Sequence, residues 1–277
     1  MLKKAIQMMM VSAFAFALLN AFVKGLKGFS VYQVVFFRAI GTLFFTIPLI
    51  IKAKIPFLGT NKKLLLARAS CGVISITCFF ESLNYLDVGT AVSLRYTSPI
   101  FAAFFAVLLL KEKIKPIQWL LFFIAFLGVL LLKGFGTNVN SIGLLLVLSS
   151  AFFLGLILVI IRKIGDSENP LVIINYFMIF AFIFGGIMSL HTWKTPNLNE
   201  WILLLSLGVF GYVGQLFMTK AFQTNETNTV APLKYLEIIF TLFIGVFWFE
   251  EIYNIFTLLG IFLILLGLVY NLYLKRK

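Results

Sequence analysis

Ser93-Leu94-Arg95-Tyr96-Thr97-Ser98-Pro99-Ile100-Phe101 returns half a chain later as Pro232-Leu233-Lys234-Tyr235-Leu236-Glu237-Ile238-Ile239-Phe240. Both stretches read x-Leu-basic-Tyr-x-x-x-Ile-Phe, and both stand near the start of a long apolar segment. A charge at the centre of a membrane helix costs on the order of 2.5–3.5 kcal/mol on insertion scales. Meeting that cost twice, at matched places, marks a duplication and points to where function resides.

The surrounding composition explains why these charges stand out. The chain has 277 residues, 61% of them hydrophobic and only 12% charged, with a mean hydropathy of +1.05. A soluble domain carries about twice that charged fraction. Ten apolar spans recur at about 5–23, 31–51, 64–86, 90–110, 117–133, 141–161, 170–190, 201–222, 228–249 and 255–274, each close to the length that crosses a bilayer. The fold class is therefore an all-α membrane protein with short connections and no soluble domain. The net charge of +13 sits mostly in those connections, as expected for topology and lipid headgroups rather than nucleic acid.

Cys71 and Cys78 lie seven apart in one span, where a mutual disulfide is geometrically implausible. With His191 the sole histidine, no metal-ligand cluster or cofactor motif stands out. Lys3-Lys4 and the alanines that follow could mimic a signal peptide, but the apolar run continues past them and reads as a retained first helix. An N-terminus inside places fifteen Lys/Arg on the cytoplasmic side, Arg68 among them, against Lys24, Lys27, Lys133 and Lys194 outside. Both termini are then cytoplasmic, in a multi-pass protein of the cell (inner) membrane.

A shift of 139 residues extends the repeat without a gap. It pairs Gly72 with Gly211, Arg95 with Lys234, Tyr96 with Tyr235, Glu112 with Glu251 and Gly128 with Gly267. Near the N-terminus a shift of 138 pairs Ser12-Ala13-Phe14 with Ser150-Ala151-Phe152. The expected organisation is two five-helix repeats, residues 1–138 and 139–277. Five is odd, so the second inserts upside down relative to the first. Inverted repeats of this kind typify secondary transporters, with the solute site near the midplane where they meet.

At this point the sequence resembles the drug/metabolite transporter superfamily, specifically its EamA-type ten-helix members. The resemblance covers nearly the whole chain. It rests on Phe37-Arg38-Ala39, Leu83-Asn84-Tyr85, Thr97-Ser98-Pro99 and Leu110-Lys111-Glu112-Lys113-Ile114. In the second half it rests on Lys220-Ala221-Phe222, Ala231-Pro232-Leu233-Lys234-Tyr235-Leu236-Glu237 and Phe249-Glu250-Glu251. The second set also looks like bacterial importers of S-adenosylmethionine. The resemblance implies a bundle around a central cavity, with the fifth and tenth helices peripheral. It leaves the solute open, because one fold serves many solutes.

Among the ionisable residues within the expected spans, six are candidates for the interior: Arg38, Glu81, Arg95, Lys220, Lys234 and Glu237. Four are positive and two negative, which suits an anionic or zwitterionic solute better than a simple cation. Glu81 and Lys220 are repeat equivalents, and we expect them to pair across the cavity; local pairing or snorkelling is the plainer alternative. Lys234 and Glu237, at i and i+3, can neutralise each other on one helix face. A proton taken up by Glu237 would free Lys234 for a carboxylate. Arg95 has Ser98 where Lys234 has Glu237, so it must find a partner elsewhere or in the solute. Arg38 is equally readable as an anchor or a contact. Tyr96, Tyr235, Asn20, Asn84, Asn175, Tyr176 and Gln215 supply hydrogen-bonding groups, though such groups often only tie helices together. Gly208, Gly211 and Gly214 form a small-residue face for close packing, and Pro99 and Pro232 can kink their helices. Glu112, Glu250 and Glu251 lie at helix ends.

The expected activity is secondary transport of a small organic metabolite by alternating access, driven by protons or by exchange. No nucleotide-hydrolysis motif competes with that reading. The alternatives are a drug or toxic-metabolite exporter, a non-transporting membrane subunit and an intramembrane enzyme. The expected partners are the solute, the lipid bilayer and protons, with a homodimer left open.

Overall fold

The computed structural model describes residues 2–26, 28–82, 84–86, 88–131 and 140–250, together with 255, 259–260, 262–263, 266–267 and 270. More than half of the expected tenth span lies outside the described residues. Regular structure among the described residues is helical: α1 (Leu2–Gly25), α2 (Val31–Lys52), α3 (Lys62–Ser82), α4 (Val88–Arg95), α5 (Ser98–Leu110), α6 (Pro116–Leu131), α7 (Ser141–Ile164), α8 (Pro170–Ser189), α9 (Leu198–Thr224), α10 (Thr227–Val230) and α11 (Leu236–Phe249), with short 3₁₀ segments. Seven helical segments among the described residues are long and apolar enough to cross a membrane. Large side chains such as Phe44, Ile51, Leu145 and Phe247 are exposed, which suits a surface solvated by lipid. The chain is an all-helical, multi-pass membrane protein.

The fourth and ninth spans are not single helices, a correction to the sequence reading. α4 stops at Arg95 and α5 begins at Ser98. In the second half α10 gives way to a 3₁₀ segment, Ala231–Tyr235, before α11. The prolines expected to kink these helices instead help to divide them. Pro99 has no N–H to offer the Arg95 carbonyl four residues back. The Thr97 hydroxyl bonds locally, donating to the Leu94 carbonyl at 2.8 Å. Pro232 likewise opens its 3₁₀ segment. Each basic-Tyr pair therefore lies at a discontinuity, where backbone polarity is tolerated only if it faces protein or a cavity.

The halves are tied together in matching ways. α1 packs on α9 and α11, α7 packs on α3 and α5, and α2 packs on α8. Ser12 donates its hydroxyl to the Gly214 carbonyl at 2.8 Å, and Ser150 donates to the Ser75 carbonyl at 2.7 Å. α5 and α11 each end on a left-handed residue, Lys111 at φ 55° and Glu250 at φ 53°. Their N–H groups donate to Ala106 and Gly245 respectively, an αL cap at a non-glycine residue in both halves.

Glycines set the distance between the inner helices. A Cβ at Gly208 would lie 2.4 Å from the Cα of Gly41, and one at Gly214 would lie 2.8 Å from the Phe16 ring. Close approach of α2 and α1 to α9 therefore requires these glycines, and it brings Arg38 and Phe16 to the bundle axis.

Two polar clusters mark the ends of the bundle. At one, Glu168 accepts from the Thr60 hydroxyl at 2.7 Å and from the Thr60 and Asn61 N–H groups at the start of α3. Gln223, at the end of α9, donates to the Glu168 carbonyl at 2.8 Å, and Arg162 donates to the Gln223 carbonyl at 2.9 Å. Glu112 accepts from the Thr227 N–H at 3.0 Å, a contact between elements rather than a solvated end. At the opposite end Gln33 and Lys194 exchange two hydrogen bonds at 2.7 and 3.1 Å. α3 thus begins on the Glu168 face, where α9 ends.

Candidate functional site

α1, α2, α3, α4, α7, α9 and both discontinuities enclose a cavity on the bundle axis. Its polar lining comprises Asn20, Arg38, Arg95, Tyr96, Ser98, Gln215, Lys234 and Glu237, with Phe16, Phe79 and Phe80 among the apolar walls. Its volume is about 60 Å³, room for only a few water molecules.

The two sides of this cavity differ in how they are satisfied. On the α1/α11 side Glu237 uses both oxygens, accepting from Lys234 Nζ at 2.8 Å and from Asn20 Nδ2 at 3.0 Å. Lys234 and Glu237 are both buried, so each compensates the other's lost hydration. On the α2/α4/α5 side donors stand without acceptors. Arg38 Nε, Arg95 Nε, the Tyr96 hydroxyl and the Ser98 hydroxyl are buried with no hydrogen-bond partner among the described residues. Tyr96 lies beside Glu237 and Thr241 without a well-formed bond to either. The Arg95 guanidinium rests 4.1 Å from the Phe79 ring centroid, and Arg38 lies 5.9 Å from that of Phe16. Aromatic faces offset part of a cation's desolvation, yet they supply no lone pairs. The two arginines also stand within electrostatic reach of each other.

The remaining sequence candidates lie elsewhere. α3 ends at Ser82, so Glu81 occupies its last turn, half-buried and remote from the Glu168 face. Lys220 is exposed near the other end of the bundle, its Nζ 6.0 Å from the Phe217 ring centroid. The expected Glu81–Lys220 ion pair does not form. α3 and α9 run in opposite directions, so matched positions away from the midplane fall on opposite faces, separated by most of a helix of 21 residues. Asn84 is exposed in the turn after α3, outside the cavity. Tyr235 is fully buried behind the wall, its ring centroid 6.3 Å from that of Tyr96. Asn175 and Tyr176 tie elements together, accepting from Thr46 at 3.1 Å and donating to the Leu58 carbonyl at 2.7 Å respectively.

Arg68, counted by its sequence position among the Lys/Arg of the cytoplasmic side, is only 1% exposed. Its Nη2 donates to Gln215 Oε1 at 3.0 Å, and its guanidinium stacks 4.3 Å from the Phe177 ring centroid. Arg68 thus orients a cavity-lining amide from behind. Its place inside the third expected span was the signal that it belongs to the interior.

Three comparisons of this chain with known proteins bear on its family and fold. The model of the EamA-like transporter family matches twice, over residues 3–133 and 141–273. The chain belongs to that family. It is 29% identical over 273 residues to the pseudopaline exporter of Pseudomonas aeruginosa, covering 97% of this chain and 96% of that protein. It is 26% identical over 254 residues to the S-adenosylmethionine uptake transporter of Rickettsia prowazekii, covering 89% and 84%, and 26% identical to human solute carrier family 35 member G1, covering 88% and 72%. A solved crystal structure superposes with a TM-score of 0.85 over 98% of both chains at 14% identity, a likeness of fold. The protein is a membrane transporter rather than an enzyme.

Proposed function

We propose that the chain is a secondary-active transporter of a small anionic or zwitterionic organic metabolite, working by alternating access. The observation that carries this reading is the polarised axial cavity. Unsatisfied donors on Arg38, Arg95, Tyr96 and Ser98 face a carboxylate, Glu237, that is already held by Lys234 and Asn20. Buried polar groups are ordinarily paired, so donors left open around a cavity fit the acceptors of a solute.

The architecture in this reading is ten membrane helices in two inverted five-helix repeats, residues 1–138 and 139–277. It is supported by the two family matches and by the matched serine ties and αL caps of the two halves. The Lys/Arg bias that puts both termini on the cytoplasmic side of the cell membrane persists without Arg68. Arg38, Arg95, Tyr96 and Ser98 contact the solute; Lys234, Glu237 and Asn20 form the responsive side. Drive comes from a proton that Glu237 accepts, releasing Lys234, or from exchange against a second solute. Among the relatives are an exporter and an uptake transporter, so direction follows the gradients rather than the fold.

Reconstitution in proteoliposomes tests this. The expected result is saturable flux of a labelled organic anion or zwitterion, accelerated by an imposed pH gradient or by solute on the opposite side. Folded protein that carries no member of a panel of amino acids, nucleotides and organic acids would refute it.

A further inference from the structure

We infer that the solute held by this cavity is a dianion, with two carboxylates or one doubly charged phosphate facing Arg38 and Arg95. This rests on the axial cavity being the transport site and goes further, to the charge that the site accepts.

The wall carries three cations, Arg38, Arg95 and Lys234, and among its described residues one carboxylate, Glu237. Lys234 and Glu237 form a hydrogen-bonded pair at 2.8 Å, and although Glu237 also attracts both arginines, one carboxylate against three cations leaves an excess of two positive charges. The two arginines reach the wall from different helices, α2 and α4, and each carries a buried Nε without a hydrogen-bond partner. Like charges in a low-dielectric interior repel strongly. A zwitterion leaves this excess unchanged and a monoanion removes half of it. A dianion cancels it without disturbing the Lys234–Glu237 pair.

A second observation places one of the anionic groups. The Ser98 hydroxyl is completely buried, lacks a partner and lines the cavity. It stands at the start of α5, a helix of 13 residues, whose dipole favours negative charge at that end. Arg95, Ser98 and the α5 N-terminus make one anion position, and Arg38 makes the other. Arg68 adds a further positive charge behind Gln215, which deepens the demand for anions.

The test is binding to the purified full-length protein, read by calorimetry or thermal shift and independent of flux. The probes are matched pairs in which a dianion meets a near-isosteric monoanion: short dicarboxylates against their half-amides, and short phosphate monoesters against their methyl diesters. Tighter binding of the dianion by roughly 10- to 100-fold is expected. The carboxylate and phosphate arms tell the two sources of charge apart. Arg38→Gln and Arg95→Gln should each reduce that discrimination to near parity. Equal binding of acid and amide, no response to any dianion in the series, or discrimination that persists in folded Arg→Gln variants would overturn the inference. If dianions bind but liposomes show no flux, the transport reading fails and the binding assignment stands. If monoanions or zwitterions are carried saturably and dianions do not bind, the reverse holds.

Discussion

Arg95 stands at the end of a short helix with its Nε unpartnered, while Lys234, in the matching place of the second half, donates to Glu237 three residues on. The backbone breaks near both residues, and the αL caps that follow the two helices agree. What differs is one side chain: Ser98 where the other copy has Glu237. In the second half the cation arrives with its counter-ion and the pair is self-sufficient. In the first half the cation arrives with a hydroxyl donor, so two donors lack an acceptor. The duplicated break supplies position, and in the function proposed above the divergence leaves one copy to hold the site together and the other to receive the solute.

The sharpest way to break this comparison is to remove the counter-ion. Glu237→Gln leaves Lys234 buried beside a neutral amide, and removing one partner of a buried pair costs about 3–5 kcal/mol. A large fall in the thermal midpoint of the solubilised protein is expected. The double variant Lys234→Gln/Glu237→Gln should recover much of it. An unchanged midpoint in the single variant would mean that the pair is not the structural half of the contrast.

Arg95→Gln is the complementary change, and its stability effect should differ in kind. It removes a cation that makes no hydrogen bond among the described residues and faces another cation, Arg38. The expected midpoint is equal to or above that of the wild type. Solute binding should nevertheless weaken by roughly 10- to 100-fold, the worth of one hydrogen-bonded charge. Calorimetry and a melting curve on one preparation check both halves. Destabilisation with unchanged binding would assign Arg95 to structure and erase the contrast.

These residues also show how far the sequence could be read. Charge inside an apolar span is visible at once, and Arg38, Arg95, Lys234 and Glu237 do line the cavity. Depth along a helix is less visible, because it depends on helix ends. Extending the third span past Ser82 made Glu81 look internal, although it lies in the last turn. Repeat equivalence then suggested a partner, Lys220, that the opposed helix directions carry to the other face. Arg68 is the opposite case: counted only with the Lys/Arg of the cytoplasmic side, it stacks on Phe177 and is buried. The breaks were half legible. Pro99 and Pro232 announced a disturbance, but only tertiary packing decides between a kink and two helices.

The contrast should stay confined to the cavity, and the Glu168 face tests that confinement. Burial opposes the charge on Glu168, but the Asn61 N–H and the Thr60 hydroxyl and N–H outweigh it and hold the carboxyl below the usual carboxylate range. A depressed folded value means that its contribution is present above the unfolded pKa, about 4.3, and is lost as pH falls through the folded one. The midpoint gap between the wild type and Glu168→Gln should therefore hold at neutral pH and close below about pH 4.3. Melting curves across that range check it. Solute binding at neutral pH should be equal in the two proteins. Impaired binding in Glu168→Gln would show that this face is coupled to the cavity.

The smallest expected effect tests what the two halves share. Ser12 and Ser150 each donate to a carbonyl on the facing helix, Gly214 and Ser75, and hydrogen bonds between membrane helices average about 0.6 kcal/mol. Ser12→Ala and Ser150→Ala should each lower the midpoint slightly and by the same amount, with binding untouched. The bond from the Ser75 hydroxyl to the Ser150 carbonyl, at 2.9 Å, survives in Ser150→Ala, and the 3.3 Å contact between the two hydroxyls adds little because each proton is already given to a carbonyl. Equal costs would mean that the halves still hold each other by the same means and have diverged only in charge. A clearly larger loss in Ser12→Ala would instead place the difference in the packing of α1, which carries Asn20 to Glu237, and the asymmetry of the cavity would then be mechanical as well as electrostatic.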